Sequence, residues 1–477
     1  MGDIIFGLLA LVLLAGLGFG AFVLVKMGLK RMYGHSDDPI HQARSSLILK
    51  STLAVMLCLL AIVPLTMVRD MTTEREGLYK NVVYEMGHTW GSKQQLAGPV
   101  LVLPYQYVVI TKGTNRDGEP RETRTLMRDE LLILPKQLNI DAKLTHDFRD
   151  RGIYRSLVYR SNITGQAKFD FDLPQMPNLE AYDFESARLV FGLSANKSID
   201  TVENFDVSGE GLEPQDSLQS GTGLATPALS RGFHRPLAGM TGATPFTLDF
   251  KMQLRGSQGI SFLPLGESSV FELTTDWPHP SFNGILPTAR NIDEQGFSAS
   301  WDITHLSRNY PQIFRDSSGK NLDEANAGTQ LFEPATHYGK IDRAMKYGLL
   351  FVALTFIVLL MFELGQGQRL SPLQYMMVGA AMTLFYLLLL ALSEHLSFAI
   401  AYMAAASVPV LSIPAYVASA TGSRNKGVVM LAMLLGLYAL LFSILRLEDY
   451  ALLMGSGLLV AVLLTLMYLT RRQSEAG

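Results

Sequence analysis

Residues 373–393 read LQYMMVGAAMTLFYLLLLALS, an apolar stretch without one charged side chain. A helix rises about 1.5 Å per residue, so this stretch can cross a hydrocarbon core of about 30 Å. Six other apolar stretches have a similar length. The predicted spans cover residues 4–25, 47–68, 346–363, 373–393, 396–419, 427–445 and 451–470. The sequence therefore predicts a multi-pass α-helical membrane protein.

A long polar segment separates the second span from the third. It is large enough to build its own hydrophobic core. The predicted organisation is an extra N-terminal transmembrane helix at 1–30, a basic cytoplasmic loop at 31–46, a second transmembrane helix at 47–68, a β-rich periplasmic domain at 69–342, a five-helix transmembrane bundle at 343–470 and a cytoplasmic tail at 471–477.

Composition agrees with this division, since 48% of the residues are hydrophobic and 17% are charged. Residues 69–340 hold 27 Lys and Arg against 34 Asp and Glu, a net charge of −7. An acidic domain gives no support to nucleic-acid binding. The single cysteine, Cys58, lies inside the second span, so the polar domain has no disulfide.

Basic residues beside the spans predict the orientation, because cytoplasmic loops carry the excess of Lys and Arg. All of the basic loops fall on one side of the predicted spans. Their basic residues are Lys26, Lys30, Arg31, Arg44, Lys50, Arg369, Arg424, Lys426, Arg471 and Arg472. The large domain should then lie outside the cytoplasm and the C-terminus inside. The acidic start at Asp3 favours a retained first helix over a secretory signal.

The polar domain begins with a helical pattern and continues with strands. Residues 72–88 have apolar side chains at helical spacing, and the pattern predicts a helix that continues from the second span. Short β-branched and aromatic runs follow, which favour antiparallel strands in a sandwich-like domain. The predicted strands are 100–103, 105–111, 131–134, 140–147, 153–163, 187–193, 245–254 and 269–275. Residues 111–124 are predicted as a hairpin loop, and no order is predicted for 207–244.

The most distinctive local string is WPHPSFNG at residues 277–284, followed by Arg290 and Trp301. Two prolines around His279 hold the backbone extended and can present Trp277, His279 and Phe282 in a fixed array. One interpretation is an edge that recognises a partner. The other is a rigid crossover whose aromatic rings fill the core, and this is the more frequent use of such residues.

Several separate motifs, this string included, carry a family resemblance. The other motifs are Gly98-Pro99, Asp342-Arg343-Ala344, Lys346-Tyr347, Phe362-Glu363, Pro372, Gln374-Tyr375 and FYLLLLALSEH at 385–395. With these motifs the chain, from about residue 45 to its end, resembles the CreD family of bacterial inner-membrane proteins. The first span departs from that pattern.

The resemblance implies a Gram-negative inner membrane location, a periplasmic domain and a role in cell envelope integrity and stress response. It also implies a link to a two-component regulatory system and to colicin tolerance. It supplies no reaction. The chain contains no Gly-x-Ser-x-Gly, Gly-Lys-Ser/Thr or His-Glu-x-x-His motif. The histidines of the domain also lack metal-ligand spacing. We therefore expect a protein that is not an enzyme and that needs no cofactor or metal.

One polar cluster, Ser393-Glu394-His395, lies at the outer end of the fourth span. Its carboxylate and imidazole could relay a proton or bind a polar head group. A hydrated interfacial turn is favoured, because charged side chains cost little free energy at the end of a span, where they can reach water. Glu363, at the inner end of the third span, is likewise expected to reach water.

Two functional hypotheses have support, and a third, a membrane hydrolase acting on envelope material, has the least because no nucleophile or base can be named. The first is an envelope protein whose periplasmic domain binds an envelope protein, glycan or lipid, with the bilayer as its other partner. The second is a transporter or lipid-handling protein that uses the C-terminal bundle, including the fifth span, where Pro409 and Pro414 should bend the helix. Small residues such as Gly16 and Gly20 favour close helix packing within the bundle or in a homo-oligomer.

Overall fold

The computed structural model describes residues 52, 54–114, 120–214, 217–331, 337–364 and 370–446, and positions 456, 457, 460, 464 and 467. The chain divides into two compact units. Lys80–Pro334 form the β unit, and the described residues up to Tyr79 and from His337 onward form the helical unit. The first predicted span, its basic loop and most of the last predicted span lie outside the described residues.

Helices account for the helical unit. The described helices are α1 Ile62–Trp90, α2 His337–Lys346, α3 Gly348–Leu364, α4 Pro372–Ser393, α5 Phe398–Thr421 and α6 Arg424–Arg446. Helix α1 contains the predicted helix at 72–88 and confirms it. Helices α3 to α6 coincide with the predicted spans from 346 to 445 to within about three residues at each end.

Four described helices are long and apolar enough to cross a membrane: Ala54–Trp90, Pro372–Ser393, Phe398–Thr421 and Arg424–Arg446. A fifth crossing results if α2 and α3, which meet at a bend of 42°, form one broken span.

Local sequence signals explain where these helices begin and end. Ser371 and Gln374 form a capping box before α4, and Pro372 occupies the first turn, where its missing N–H costs nothing. Gly422 ends α5 with a left-handed φ of 60°, which glycine adopts without strain. Helix α5 stays one continuous helix although it contains Pro409 and Pro414.

Two sheets form the β unit. The strands are β1 Gln94–Thr114, β2 Pro120–Ile133, β3 Gln137–Arg151, β4 Tyr154–Phe169, β5 Leu179–Tyr182, β6 Arg188–Leu193, β7 Ile199–Gly209, β8 Glu213–Pro214, β9 Gln219–Ser220, β10 Gly232–Ala238, β11 Phe246–Ser257, β12 Gly259–Phe262, β13 Ser268–Thr275, β14 Pro280–Gly284, β15 Ala289–Asp293, β16 Gly296–Thr304, β17 Ile313–Arg315 and β18 Ala327–Leu331. The main path of the first sheet is β14-β18-β12-β1-β6-β10-β8, and the second runs β15-β16-β13-β3-β4-β11-β7.

The two sheets pack face to face around one hydrophobic core. Phenylalanine pairs cross between them: Phe191 lies 5.2 Å from Phe250, and Phe262 lies 5.2 Å from Phe271, measured between ring centroids. Contacts of this kind across facing sheets define a sandwich. The predicted mainly-β, sandwich-like domain is confirmed in this sense.

Two details of the predicted sandwich were wrong. Residues 111–114 and 120–124 are not a loop but continue the β1–β2 ladder, in which Thr114 pairs with Pro120. The strands are also not all antiparallel, since β1 pairs in parallel with β12 and β13 in parallel with β3. Each parallel pair joins strands far apart in sequence, which local patterns do not reveal.

Candidate functional site

Residues 277–293, here called the edge segment, supply an outer strand to each sheet at one side of the sandwich. Strand β14 is the end strand of the first sheet and pairs with β18. Strand β15 is the end strand of the second sheet and pairs with β16. The segment therefore crosses from one sheet to the other and leaves two strand edges open among the described residues.

The structure separates the predicted partner-binding residues by burial. Trp277 is buried, and Trp301 is only 1% exposed. The indole N–H of Trp301 donates to the carbonyl of Ile285 at 2.9 Å, which ties the crossover between β14 and β15 to the core. These two tryptophans thus take the core positions that the sequence also allowed, and a partner cannot reach Trp301 directly.

The other three predicted residues remain accessible. His279 and Arg290 are exposed, and Phe282 is half-buried. Phe282 packs 6.0 Å from Trp301 between ring centroids, and the guanidinium carbon of Arg290 lies 5.9 Å from the Phe282 ring centroid. Two apolar neighbours in the same segment are more open, since Leu286 is 67% exposed and Ile292 is 46% exposed. The accessible part of the site is therefore a mixed apolar and cationic sheet edge.

The buried end of the edge segment packs on the β3–β4 hairpin. The Trp277 ring lies 5.4 Å from the ring of His146 and 6.0 Å from that of Phe148. The carboxylate of Asp276 accepts from the backbone N–H of His146 at 2.9 Å. Hydrogen bonding and ring packing together hold the segment in a fixed position against this hairpin.

A second cluster, which the sequence gave no sign of, lies where α1 ends in the β unit. The guanidinium carbons of Arg149, Arg160 and Arg255 lie 4.4, 5.7 and 5.2 Å from the ring centroid of Trp90. The indole N–H of Trp90 donates to the carbonyl of Tyr159 at 3.4 Å. Trp90, Arg149, Arg160 and Arg255 are called the Trp90 cluster below. Its members come from α1, β3, β4 and β11, so no local motif could have shown it.

The predicted membrane polar cluster becomes part of a tie between helices. The carboxylate of Glu394 accepts from the hydroxyl of Tyr338 on α2 at 3.3 Å and lies 3.8 Å from Nε of Arg75 on α1. The Ser393 hydroxyl donates back to the carbonyl of Leu390 within α4, and His395 is exposed. Glu394 therefore has a structural partner on each of two helices, whereas Ser393 bonds within its own helix and His395 is exposed.

Glu363 differs from its expected contact with water. The residue is only 7% exposed and accepts from the backbone N–H of Leu370 and, at 3.5 Å, from the hydroxyl of Tyr375. Lys426, also buried, donates to the carbonyl of Phe362 at 3.2 Å. Because Leu370 precedes α4 and Lys426 belongs to α6, these contacts join the end of α3 to two neighbouring helices. Position at a predicted span end had suggested exposure, but helix packing covers the group.

No three His, Cys, Asp or Glu side chains within the described ranges come together in a way that could hold a metal ion.

A family model described as inner membrane protein CreD matches residues 46–474. The chain belongs to the CreD family. A curated CreD-family relative, inner membrane protein CreD of Escherichia coli strain K12, is 31% identical over 437 residues, which cover 90% of this chain and 93% of the relative. This chain is thus an inner membrane protein of the CreD family, with apolar helices compatible with insertion.

A solved structure was also matched, that of a putative nutrient binding protein from Legionella pneumophila. The two chains are 9% identical, the match covers 53% of this chain and 81% of the Legionella chain, and the TM-score is 0.22. A similarity of this size carries no argument about the fold or function of a CreD-family protein.

Proposed function

We propose that this CreD-family protein is a multi-pass protein of the Gram-negative inner membrane that supports envelope integrity under stress without catalysing a reaction. Its β-sandwich lies in the periplasm and its C-terminus in the cytoplasm, and the sandwich binds an envelope component through the edge segment. The basic residues beside the predicted spans support this orientation.

The observation that carries the binding proposal is the position of residues 277–293 on two open sheet edges. An open edge strand offers unpaired backbone N–H and C=O groups, and an extended partner can add to it as a further strand. Exposed Leu286, Ile292 and Arg290 would add side-chain contacts to that pairing. Trp301 and Trp277 below them would keep the edge rigid, which lowers the entropic cost of binding.

Charge substitutions on strand β15 test this proposal. Arg290→Glu combined with Ile292→Lys should remove envelope protection in cells that lack the wild-type gene. The first substitution replaces the positive charge with a negative one, and the second places a charged side chain on the open edge strand, which opposes pairing with a partner strand. Both residues are exposed, so protein level and thermal midpoint should not change. The matched control is Thr201→Lys on β7, the end strand on the opposite side of the second sheet. Full protection by the double variant at normal protein level would contradict the proposal.

A further inference from the structure

We infer that the Trp90 cluster is a binding site for a phosphate-bearing ligand. This inference rests on the proposed binding role of the β-sandwich but concerns a surface other than the edge segment.

Three guanidinium groups converge on one aromatic ring. All three carbons lie within about 6 Å of the Trp90 centroid, the range in which a cation is attracted to an indole face. The same closeness brings like charges together, which is unfavourable unless negative charge compensates them. A bound anion would therefore lower the electrostatic repulsion among the three guanidinium groups.

Carboxylates of the chain meet this need only in part. Asp147 lies 3.4 Å from Arg149, and Asp200 lies 2.7 Å from Arg255. Within the described ranges, no ion pair involves Arg160, whose side chain is exposed. The cluster thus keeps one uncompensated guanidinium at the surface.

One neighbouring cation, Lys197, adds to the positive charge, and its carbonyl accepts from the Arg255 guanidinium at 3.1 Å. Arg151 and Arg155 are each matched by one carboxylate, Glu85 at 2.7 Å and Asp150 at 3.5 Å, whereas Lys197 contacts the ring nitrogen of His88 at 3.1 Å. The described contacts thus show more cations than carboxylates here, although residues 69–340 as a whole have a charge of −7. This positive patch stands out on an acidic domain.

Arginine chemistry indicates the ligand class. A guanidinium group beside an aromatic ring can still donate from its N–H edge, and this edge matches the oxygens of phosphate in paired hydrogen bonds. Within the described ranges, Arg160 is the arginine of the cluster without an ion pair. A phosphate group carries three or more acceptor oxygens and about two negative charges, so it can serve several guanidinium groups at once. A single carboxylate has two oxygens and one charge. Phosphate-bearing ligands fit the cluster better.

The position of the arginines at the end of α1 also has a purely structural explanation. The C-terminal end of α1 is its negative end and attracts cations without any ligand. That effect would make the arginines contribute to stability, whereas a ligand site would make them contribute to binding. Exposed Arg160 separates the two roles because its removal should not affect folding.

The test is a calorimetric titration of the full-length protein, in a nonionic detergent, with sodium pyrophosphate as the probe. Binding should weaken as NaCl is raised. Arg160→Gln and Arg149→Gln should each lower the affinity about tenfold, since each removes charge-assisted hydrogen bonds. The matched control is Arg124→Gln on β2, an exposed arginine outside the cluster, which should change the affinity less than twofold.

A competition arm identifies the source of the phosphate group. Mixed micelles containing phosphatidic acid, whose head group is a phosphomonoester, should displace pyrophosphate if the natural ligand is a lipid head group, while micelles of phosphatidylcholine serve as the reference. Displacement by inorganic phosphate alone would indicate a soluble ligand, and both outcomes support the site.

No binding of pyrophosphate at millimolar concentration would overturn the inference, as would equal losses in Arg160→Gln and Arg124→Gln. Neither outcome touches the edge segment, whose own test uses Arg290 and Ile292. If Arg149→Gln fails to fold, Arg160→Gln alone decides the question.

Discussion

At the scale of single residues, one carboxylate helps to fix the glycine-rich stretch that showed no pattern in the sequence, together with the pairing of β10 with β6. Asp316 is buried and accepts from the backbone N–H groups of Ala225 and Thr226 at 2.7 and 2.9 Å, and from the Thr226 hydroxyl at 2.7 Å. Asp316 lies some ninety residues further along the chain. A contact so distant in sequence cannot be read from composition, which explains why residues 207–244 had no predicted order.

Replacing Asp316 should destabilise the β unit. Asp316→Ala leaves buried donors without an acceptor, which should lower the free energy of unfolding by about 3 kcal/mol. In a thermal scan of the full-length protein the midpoint should fall by roughly 5 to 10 °C. Asp302→Ala, an exposed carboxylate on β16, is the control and should leave the midpoint unchanged. An unchanged midpoint in Asp316→Ala would show that the stretch is held by other contacts.

Tyr105 should make stability depend on alkaline pH. Burial, and next the nearby Asp129 carboxylate, raise the pKa of Tyr105 to about 12. In the unfolded chain its pKa is near 10, so the fold favours the neutral phenol. This contribution is complete below about pH 10 and is lost as the pH rises from 10 to 12.

Tyr105→Phe should therefore lose less stability than the wild type over that pH interval. Denaturant unfolding at pH 9, 10, 11 and 12 gives the free energy of unfolding of both proteins as a function of pH. The same loss of free energy in Tyr105→Phe and in the wild type would mean that burial of Tyr105 does not favour its neutral form.

At the scale of elements, helix α1 ends in close contact with the sandwich. A Cβ on Gly87 would lie 2.6 Å from the hydroxyl of Ser257, and that hydroxyl donates to the Gly91 carbonyl at 2.8 Å. Nothing lies within 4 Å of the same position on Gly77, earlier in the helix. The two glycines of one helix thus have opposite surroundings.

Alanine at each position should give opposite results. Gly77→Ala should stabilise the protein by about 0.5 to 1 kcal/mol, because alanine is the better helix former. Gly87→Ala should destabilise it, because Ser257 must move and its hydrogen bond to Gly91 is strained. Thermal midpoints of the two variants provide the measurement, and a stabilised Gly87→Ala would show that α1 does not need this close approach.

The elements also show how far the sequence could predict the fold. Strands such as β3 and β11 were predicted from their β-branched and aromatic runs. In the structure their buried and exposed residues alternate, as expected for strands with one face on the core. The loop prediction for residues 111–124 rested on their charged and turn-forming residues. In the ladder, residues 111–113 and 121–124 are exposed, so no buried face marked them as strand in the sequence. Pairing of distant strands and the clustering of Arg149, Arg160 and Arg255 at Trp90 depend on tertiary contacts. Those features needed the structure.

At the scale of the whole molecule, a CreD-family inner membrane protein combines apolar helices with a two-sheet domain about 250 residues long. We expect the domain to act by binding, with the edge segment as the contact surface. The competing hypothesis, a transporter or lipid-handling protein, uses the helices and the turn at Glu394 and His395. In the structure, Glu394 is tied to Arg75 and Tyr338, so Glu394→Gln should reduce stability more than activity.

Site-specific photo-crosslinking in living cells from Ile292, followed by mass spectrometry of the captured material, shows whether strand β15 is the contact surface. The comparison sites are Thr201 on the opposite sheet edge and His395 in the turn after α4. We expect that one defined envelope protein or glycan is captured from Ile292 and not from Thr201. Capture of lipid mainly at His395, with nothing specific at Ile292, would overturn binding through the edge segment and favour lipid handling.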